Sequence, residues 1–446
     1  MQRKLLSASA AWLLAFLFSC AAHAQQDGAY DPTFGTGGQT WINVAGGVND
    51  VGKTLVRLST GNFFMAGACD DIPCALWLTP DGAPANGFGI SGTGRALFQS
   101  YAGWPVNDSF GQLDAAVLAD GRAIVLTYRN GGGGYVAVVK ADGTGLDTAV
   151  GNGAGFLMPS LLPVLVRVTP QQQVILVSVS ATSPTGIVVS RYDSTLHPDT
   201  NFGTGGSTTI GFADGNFSAN GATLQRDGKI VVVGQVATST PNVGIIRLTA
   251  GGAPDTQFGA NSDGRFEGKL GVANGAGGNA IAEDEKGRLV IAGSALSSTP
   301  GHAKWLVNRI SSGGAFDATF NSGNPQVFTI FSASDSSGPG ACCLTLQTDH
   351  RIVVAGKVQR GDTSSGYFGV ARFLGNGEFD ASYGIGGQSF GDMSTESATA
   401  ITDVPGSMII VPGRIIVGGY TYAQGGEGRF VATGVEIDLL FAGDFE

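Results

Sequence analysis

The feature that most constrains this chain is an eight-residue motif, Asp-x-x-Phe-Gly-x-x-Gly, which recurs along the sequence. Two copies are complete, at residues 31–38 and 199–206, and five further copies keep part of it. The aromatic position, or its replacement, falls at residues 34, 88, 150, 202, 258, 320 and 383. The motif therefore predicts seven units of roughly 50 to 60 residues, a period typical of repeat architectures.

The partial copies show which positions of the motif can be lost. The copy at residue 88 has no Asp, and the copy at residue 150 has Val in place of the aromatic ring. The members that keep the pattern are Asp31, Phe34, Gly35, Phe88, Asp147, Asp199, Phe202, Gly203, Asp255, Phe258, Asp317, Phe320, Asp380 and Tyr383. Because single members are lost while the period is kept, the motif indicates a structural repeat.

A second signature, a turn followed by a short apolar strand, occurs once in every unit. In one copy Asp227-Gly228-Lys229 precedes an apolar run at residues 230–234, which is typical of a β-hairpin. The middle residues of the seven turns are Gly61, Gly121, Gln172, Gly228, Gly287, His350 and Gly413. Two signatures in phase give the same count of seven.

A third signature is an Arg that closes an apolar run eight residues before a motif Asp. The four copies are Arg191, Arg247, Arg309 and Arg372, and Lys140 approximates the pattern seven residues before Asp147. A planar guanidinium can meet both oxygens of a carboxylate. We therefore predict structural Arg–Asp pairs beside each motif.

Together these patterns predict an all-β chain, a seven-bladed β-propeller of four-stranded antiparallel blades. The apolar runs are rich in β-branched residues and lack polar alternation, as in sheets buried on both faces. A parallel β-helix is the alternative, but its coils are usually shorter than these units. A two-sheet sandwich does not explain seven phased copies.

We interpret the motif as the joint between sheets. Its Asp can close a turn on nearby backbone amides, its Phe can fill the space between sheets, and its glycines allow positive φ. The alternative is a calcium loop, which normally needs several oxygen ligands close together, and each copy offers one carboxylate. The sequence thus predicts no metal site and no cofactor.

The ends of the chain are predicted to lie outside the repeat. Residues 1–24 resemble a secretory signal peptide, with Arg3 and Lys4 before an apolar run and a small-x-small cleavage site ahead of Gln25. The alternative is a lipoprotein attached through Cys20. Residues 25–436 form the repeat region, and residues 437–446 form a tail, either a sorting tag or a frayed or docked end. We expect an exported protein that is extracellular, on the cell surface or periplasmic.

Composition limits the partners. The chain of 446 residues has 72 glycines and a formal net charge of −10, and it contains no run of Lys or Arg. Duplex nucleic acid and anionic lipid both require a basic face, so neither is an expected partner. Beyond the leader there is no apolar run long enough to span a bilayer. We expect a monomer whose partner is an unknown protein or glycan.

The motif, together with its Asp-Gly-Lys-Ile-Val-Val-x-Gly hairpin, resembles the delta-60 repeat family of bacterial secreted proteins. The resemblance covers about residues 30–436 and is strongest from Phe202 to Gly259. It implies a β-propeller and export, and it brings no catalytic residues to carry over.

Four cysteines remain after the leader. Cys69 and Cys74 are predicted to form a disulfide, because in a ring of seven blades the first and sixth units are not neighbours. Cys342 and Cys343 are left either as a vicinal bridge or as free thiols. A metal site built from these four is not expected, since no His lies at a suitable spacing.

The sequence shows no catalytic constellation. His197, His302 and His350 occupy three different repeat positions, and Gly131 to Gly134 lack the strand and helix of a phosphate loop. We therefore predict no catalytic residues.

Three functions remain open. The first is a non-catalytic interaction or surface scaffold. The second is a propeller enzyme, which predicts carboxylates and His gathered at one mouth of the axial channel. The third is a glycan-binding protein using exposed aromatic rings, with Trp41, Trp77, Trp104 and Trp305 as its Trp candidates. The residues that line the axis should discriminate among them.

Overall fold

The structure is a computed structural model that describes residues 27–44, 46, 49–104, 109–129, 133–272, 274–296, 303–328, 340–359, 366–391, 401–423 and 428–437. Several sequence predictions fall outside these ranges. They concern the signal peptide with Cys20, Gly131 and Gly132 of the tetraglycine, His302, and the tail from residue 438 onward.

The described chain is all β, as predicted, and most of it forms four-stranded antiparallel sheets. Sheet 1 comprises β2 (Asp50–Arg57), β3 (Phe63–Cys69), β4 (Ile72–Leu78) and β5 (Arg95–Leu97). Sheet 2 comprises β6 (Ser109–Val117), β7 (Ala123–Arg129), β8 (Gly134–Val139) and β9 (Phe156–Leu157). Sheet 3 comprises β10 (Pro163–Val168), β11 (Val174–Val179), β12 (Ile187–Tyr192) and β13 (Ser207–Ile210). Sheet 4 comprises β14 (Asn216–Leu224), β15 (Ile230–Ala237), β16 (Asn242–Leu248) and β17 (Arg265–Gly268). Sheet 5 comprises β18 (Ala276–Glu283), β19 (Leu289–Leu296), β20 (Ala303–Ile310) and β21 (Gln326–Phe328).

The remaining strands form one eight-stranded sheet with two distinct halves. One half comprises β22 (Ala341–Leu346), β23 (Ile352–Gln359), β24 (Gly366–Phe373) and β25 (Gln388–Gly391). The other half comprises β26 (Ile401–Val411), β27 (Arg414–Ala423), β28 (Gly428–Glu436) and the N-terminal β1 (Gln39–Ile42). Among the described residues, one parallel pair, Gly366 with Thr402, joins the halves. Short 3-10 helices occur at Ile90–Gly92, Phe98–Ser100, Gly151–Gly153 and Phe320–Gly323.

The strands that begin each sheet or half sheet form a closed ring. Following the chain, β2 contacts β6, and the contacts continue through β10, β14, β18, β22 and β26, which in turn contacts β2. We call these the inner strands. The N-terminal β1 pairs along its length with the C-terminal β28, so the two ends of the described chain share one half sheet.

Each repeat in the sequence is offset from the sheets by one strand. The unit that begins at Phe202 first supplies β13, the outer strand of sheet 3, and then β14 to β16 of sheet 4. The motif therefore lies in the connection from the third to the fourth strand of a sheet. The sequence patterns do not show this offset, because strand pairing depends on which strands are neighbours in space and not on where the repeat begins.

The core lies between neighbouring sheets. Middle strands such as β15 are almost wholly buried, as expected for β-branched strands covered on both faces. One apolar cluster joins Val177 and Val189 of sheet 3 to Val232 and Ile246 of sheet 4, with Phe202 among them. Each sheet is therefore held by its two neighbours, and the motif residues sit where those neighbours meet.

Candidate functional site

The motif Asp closes a turn on the backbone two residues further along. Asp199 Oδ1 accepts a hydrogen bond of 3.1 Å from the amide of Asn201, and Asp317 Oδ1 accepts one of 2.9 Å from Thr319. The same bond occurs at Asp31, Asp147, Asp255 and Asp380. One carboxylate oxygen is thus used locally, and the second oxygen is left for a cation.

That second oxygen meets the Arg of the preceding strand. Arg247 Nε lies 2.8 Å from Asp255 Oδ2, and the guanidinium stacks over the Phe258 ring at 4.4 Å. The corresponding ion pairs Arg191–Asp199, Arg309–Asp317 and Arg372–Asp380 measure 2.8, 2.7 and 2.8 Å. These Arg side chains stack in turn over Phe202, Phe320 and Tyr383.

Hydrogen bonds from the same residues also connect one sheet to the next. Arg247 Nη1 donates to the carbonyl of Ser312 at 2.6 Å, and the amide of Gly259 donates to Gly313 at 3.0 Å, so sheet 4 is bonded to sheet 5. The same backbone bond joins Gly35 to Asp81, Gly89 to Asp142, Gly203 to Gly251, Asn321 to Asn376 and Gly384 to Asp27. We call this arrangement of Asp, Arg, aromatic ring and crossing bonds the inter-sheet joint.

The joints also use cations that the sequence interpretation missed. Arg414, from the turn between β26 and β27, lies 2.8 Å from Asp31 at the other end of the chain. In this joint Gly434 occupies the strand position that Arg247 has in its own joint, because the Asp31 amide donates to the Gly434 carbonyl as the Asp255 amide donates to Arg247. Gly434 packs directly on the Phe34 side chain. Likewise Arg122 contacts Asp147 at 2.8 Å, whereas the sequence suggested Lys140. Arg122 and Arg414 are the third residues of their hairpin turns, and this position is the sequence feature that could have indicated both pairs.

The degenerate copies keep the packing without the full chemistry. Val150 is fully buried at the position of the ring, and Phe88 is half-buried against the cluster between sheets 1 and 2. An apolar group packed between the sheets at this point is therefore the common requirement, and the ion pair is added to it where Asp and Arg are both present.

The joint alters the acidity of its carboxyls. Burial alone raises the pKa of Asp317, but the Thr319 hydroxyl and amide and the Arg309 guanidinium outweigh it and bring the pKa to about 2. The hydrogen bond from Asn201, with Arg191 beside it, lowers the pKa of Asp199 in the same direction. These carboxylates therefore take part in the ion pairs that stabilise the contact between sheets.

The remaining sequence candidates lie in the core or on isolated surfaces. Cys69 and Cys74 form a disulfide across the hairpin from β3 to β4, and both are fully buried. Trp77, Trp104 and Trp305 are buried in the apolar core, and Trp41 is half-buried on β1. His197 and His350 are exposed in turns of different sheets. The structure does not bring these two described histidines together.

A different set of residues converges on the axis. Every inner strand contains a β-bulge, where one residue is skipped in the pairing with the next strand. The skipped residues are Lys53, Leu113, Val164, Asn220, Asn279, Cys342 and Gly406, and β6 has a second shift that skips Gly111. In six of these strands the skipped residue lies eight positions before the middle of the hairpin turn. Bulges re-aim side chains and are common next to binding sites.

The bulges line a cavity of about 460 Å³ that all seven inner strands enclose. Its polar lining on one side is an ion pair: Asp114 Oδ2 lies 2.7 Å from Arg167 Nη1 and accepts a further bond of 2.9 Å from the amide of Val166. Arg167 Nε also donates to the carbonyl of Ala222 at 2.8 Å. This network ties the inner strands of sheets 2, 3 and 4.

Amide side chains line the next part of the cavity. Asn220 donates from Nδ2 to the carbonyl of Gly278 at 2.9 Å, and Asn279 makes the same bond to Ala341. Each skipped Asn thus bonds to the residue just before the skipped position of the neighbouring inner strand. The bulges are held in register with one another by these bonds.

Lys53 supplies a separate positive charge. It lines the cavity beside Gly406, where a side chain would collide with the Lys53 backbone. The Lys53 side chain is exposed to the cavity, and partial desolvation by the cavity wall lowers the pKa of its amine. Within the described part of the chain Lys53 forms no ion pair, whereas Arg167 is matched by Asp114. The charged lining residues therefore sum to a single net positive charge in an acidic protein.

A sulfur pair completes the ring. Cys342 and Cys343 form a vicinal disulfide at the bulge of β22, and both line the cavity. Among the described lining residues there is one carboxylate and no His, so the cluster that the enzyme hypothesis predicted is not found there. The described ranges also hold no group of three or more His, Cys, Asp or Glu placed to bind a metal.

A ring of antiparallel sheets around an axial cavity defines a β-propeller, and the sequence comparison supports this class. Residues 225–258 and 347–383 match the sequence profile of the family described as "Domain of unknown function (DUF5122) beta-propeller". Both matches run from a hairpin turn to a motif ring. The match supports a β-propeller repeat family. No curated protein is significantly similar to this sequence.

The chain is also similar to several solved structures at low sequence identity. A protein of unknown function from Dyadobacter fermentans DSM 18053 is 12% identical, with a TM-score of 0.44 over 92% of this chain and 100% of its own. A polysaccharide lyase of family PL25, an ulvan lyase, is 11% identical, with a TM-score of 0.49 over 89% and 96%. Trypanosoma rangeli sialidase is 13% identical, with a TM-score of 0.38 over 93% and 60%. No helix among the described residues has the length and apolarity to cross a membrane.

Proposed function

We propose that this protein is an exported, seven-bladed β-propeller that binds a small anionic ligand in its axial cavity without catalysing a reaction on it. The observation that carries the proposal is the ring of bulges, which presents residues of six types at the skipped positions of the seven inner strands. A repeat that keeps its geometry but varies its side chains at one point is suited to forming an asymmetric site.

Seven blades follow from treating the two halves of the eight-stranded sheet as separate blades. In the described ranges only the pair Gly366 with Thr402 joins strands of the two halves, whereas each half has antiparallel pairing of its own. The sequence also contains seven motif copies. Blade 7 then combines β26 to β28 with β1, which supports a ring closed by strands from both ends of the repeat region.

The ligand is proposed to be anionic because of Lys53. Asp114 already receives Arg167 and the Val166 amide, so it neutralises Arg167 and is not free to act as a general base. Lys53 has no such partner among the described residues. A charge-assisted contact from an ammonium is worth about 1.5–3 kcal/mol, and the occupied Asp114 favours binding over catalysis.

Titration calorimetry with sulfate, citrate and oligogalacturonate tests this proposal. We expect at least one of these anions to bind, and Lys53→Met to weaken that binding about ten- to hundred-fold. Lys286→Met, in the exposed turn between β18 and β19, is the matched control and should leave the affinity unchanged. Equal affinity in the two variants, or turnover of a bound oligosaccharide, would reject the proposal.

Export is proposed from the leader, with residues 1–24 removed, residues 25–436 forming the propeller and residues 437–446 a tail. We further propose membership of the delta-60 repeat family and a monomeric state with an extracellular, surface or periplasmic location. Expression of the full sequence in a bacterial host, followed by N-terminal sequencing, should give Gln25 as the first residue. A mature protein that begins at a lipid-modified Cys20 would support the lipoprotein alternative instead.

A further inference from the structure

The two disulfides of this chain occupy opposite environments. Cys69 and Cys74 are fully buried within sheet 1, whereas Cys342 is half-buried and lies in the cavity wall. We propose that the Cys342–Cys343 bridge is a thiol–disulfide exchange site reached through the axial cavity, and that its substrates are small, negatively charged thiols. The proposal rests on the cavity and its lining, and it does not require the ligand binding proposed above.

Access determines which sulfur reacts. Thiol–disulfide exchange requires a thiolate to reach a sulfur of the bridge, so a bridge in a close-packed core is protected until the protein opens. Cys343 is only 6% exposed, so the attack is directed at Cys342 on the cavity side. The buried Cys69–Cys74 bridge provides an internal comparison that experiences the same solution.

The charge of the cavity selects the thiol. Lys53 shares the lining with Cys342 and carries no partner among the described residues. One unit charge roughly 10 Å from an approaching anion changes its local concentration about two-fold in water at low salt. An anionic thiol should therefore react faster than a cationic thiol of the same length, beyond any difference in intrinsic reactivity.

The exchange balances with two molecules of thiol. The thiolate of the first attacks Sγ of Cys342, forms a mixed disulfide and releases Cys343 as a thiolate that takes up a proton. The second thiolate attacks the sulfur of the bound small molecule, which forms the small-molecule disulfide and releases Cys342 as a thiol. Two electrons pass from the two small thiols to the protein bridge.

The fold should survive this reduction. A bridge between adjacent residues closes a minimal loop, and the stabilisation that a disulfide gives by constraining the unfolded chain grows with loop length. The bulge at Cys342 is also held from outside the bridge, because Asn279 Nδ2 donates to the carbonyl of Ala341 at 2.9 Å. Reduction therefore exposes two thiols in a folded propeller.

The experiment treats the folded, oxidised protein with 2-mercaptoethanesulfonate or with cysteamine, followed by alkylation and peptide mass spectrometry. We expect Cys342 and Cys343 to become alkylated while Cys69 and Cys74 stay bridged, with an unchanged near-ultraviolet circular dichroism spectrum. The rate with the anionic thiol, divided by the rate with the cationic thiol, should fall about four-fold in Lys53→Met at low salt, because the anion loses an about two-fold enrichment and the cation an about two-fold depletion. The ratio should be unchanged in Lys286→Met.

Three results would overturn the inference. One is alkylation of Cys342 and Cys343 before any thiol is added, which would mean that no bridge exists. The second is reduction of both bridges together, or of neither until the protein is denatured. The third is a rate ratio that does not respond to Lys53→Met. The double variant Cys342→Ser/Cys343→Ser should release no thiol from the folded protein and gives the background.

Discussion

The inter-sheet joints and the ring of bulges both follow the repeat, but they differ in what is repeated. At the joints the chemistry recurs: Arg247, Asp255 and Phe258 form the same arrangement as Arg309, Asp317 and Phe320. At the axis the backbone recurs and the side chains change, from Lys53 to Asn220 to Cys342. Recurrent chemistry indicates a packing requirement, whereas changed side chains on a constant backbone leave room for a specific site.

Burial explains the difference. The ring of Phe258 is fully buried between two sheets, so its replacement leaves a cavity. Lys53 and Asn220 are exposed to the cavity, and their replacement leaves the strands paired. The first region is therefore constrained by stability, and the second region is free to be shaped by a ligand.

The largest effect is expected at a joint. Phe258→Ala should lower the free energy of unfolding by about 3–5 kcal/mol, because it removes a fully buried ring. Denaturant titration measures this loss. Phe316→Ala, which truncates a ring that is 52% exposed, is the control and should cost less than about 1 kcal/mol. Equal losses in the two variants would contradict the structural role of the joint.

A pair of glycine variants separates packing from backbone strain. Gly252 has φ of +90°, and a Cβ there would lie 2.9 Å from the Phe202 ring, whereas Gly205 has φ of +61° and open space. Gly252→Ala should therefore cost about 2–4 kcal/mol and Gly205→Ala about 1–2 kcal/mol. Thermal and denaturant unfolding measure both. If Gly205→Ala loses as much stability as Gly252→Ala, the close contact of Gly252 with the Phe202 ring does not contribute to the free energy of unfolding.

Acid should weaken the joints. The folded pKa of Asp317 is about 2, below the unfolded value of about 3.9. A carboxyl shifted in this direction stabilises the fold at pH above 4, and the contribution is lost as the pH falls from about 4 to about 2. Stability measured against pH should fall across this window.

The contribution of one joint to that fall can be isolated. Asp317→Asn should be less stable than the wild type at neutral pH and should show a shallower slope between pH 4 and 2. Asp214→Asn changes an exposed carboxylate that makes no ion pair among the described residues, and it should keep the wild-type slope. An unchanged slope in Asp317→Asn would show that this carboxyl is not coupled to folding.

The smallest effect on stability is expected at the axis. Lys53→Met should change the free energy of unfolding by less than about 0.5 kcal/mol, since it removes an exposed charge without a partner among the described residues. The same variant should have a large effect on anion binding. Denaturant titration and calorimetry on one preparation test both statements. If Lys53→Met lowers the free energy of unfolding by several kcal/mol, Lys53 has a structural role and not only a binding role.

Much of the fold was readable from the sequence, and the reasons are local. The motif at Asp199 to Phe202 and the hairpin turn at Gly228 are short-range patterns, because a turn is formed by residues that are neighbours in the chain. Their period predicted an all-β repeat of four-stranded sheets. The offset of the sheets by one strand was not predicted, because the sequence does not mark which neighbour a strand pairs with.

The candidate site was much less readable. The contact of Arg414 with Asp31 joins residues at opposite ends of the chain, and no spacing rule connects them. The skipped residues in the inner strands depend on how two strands are paired, so Lys53 and Asn279 looked like ordinary strand residues. The distance of eight positions to the hairpin turn becomes visible as a signal only after the bulges are known.

The sequence by itself determined the repeat, the turns and the apolar strands, because these follow from backbone preferences and from burial within one unit. Tertiary structure decided which units meet, which side chains face the axis and where the charges balance, because those contacts form between units far apart in the chain. The vicinal cysteines show the division most clearly. The sequence shows that they are adjacent. Only the closed ring of strands places them in a positively charged cavity, whereas the Cys69–Cys74 bridge is buried in the core.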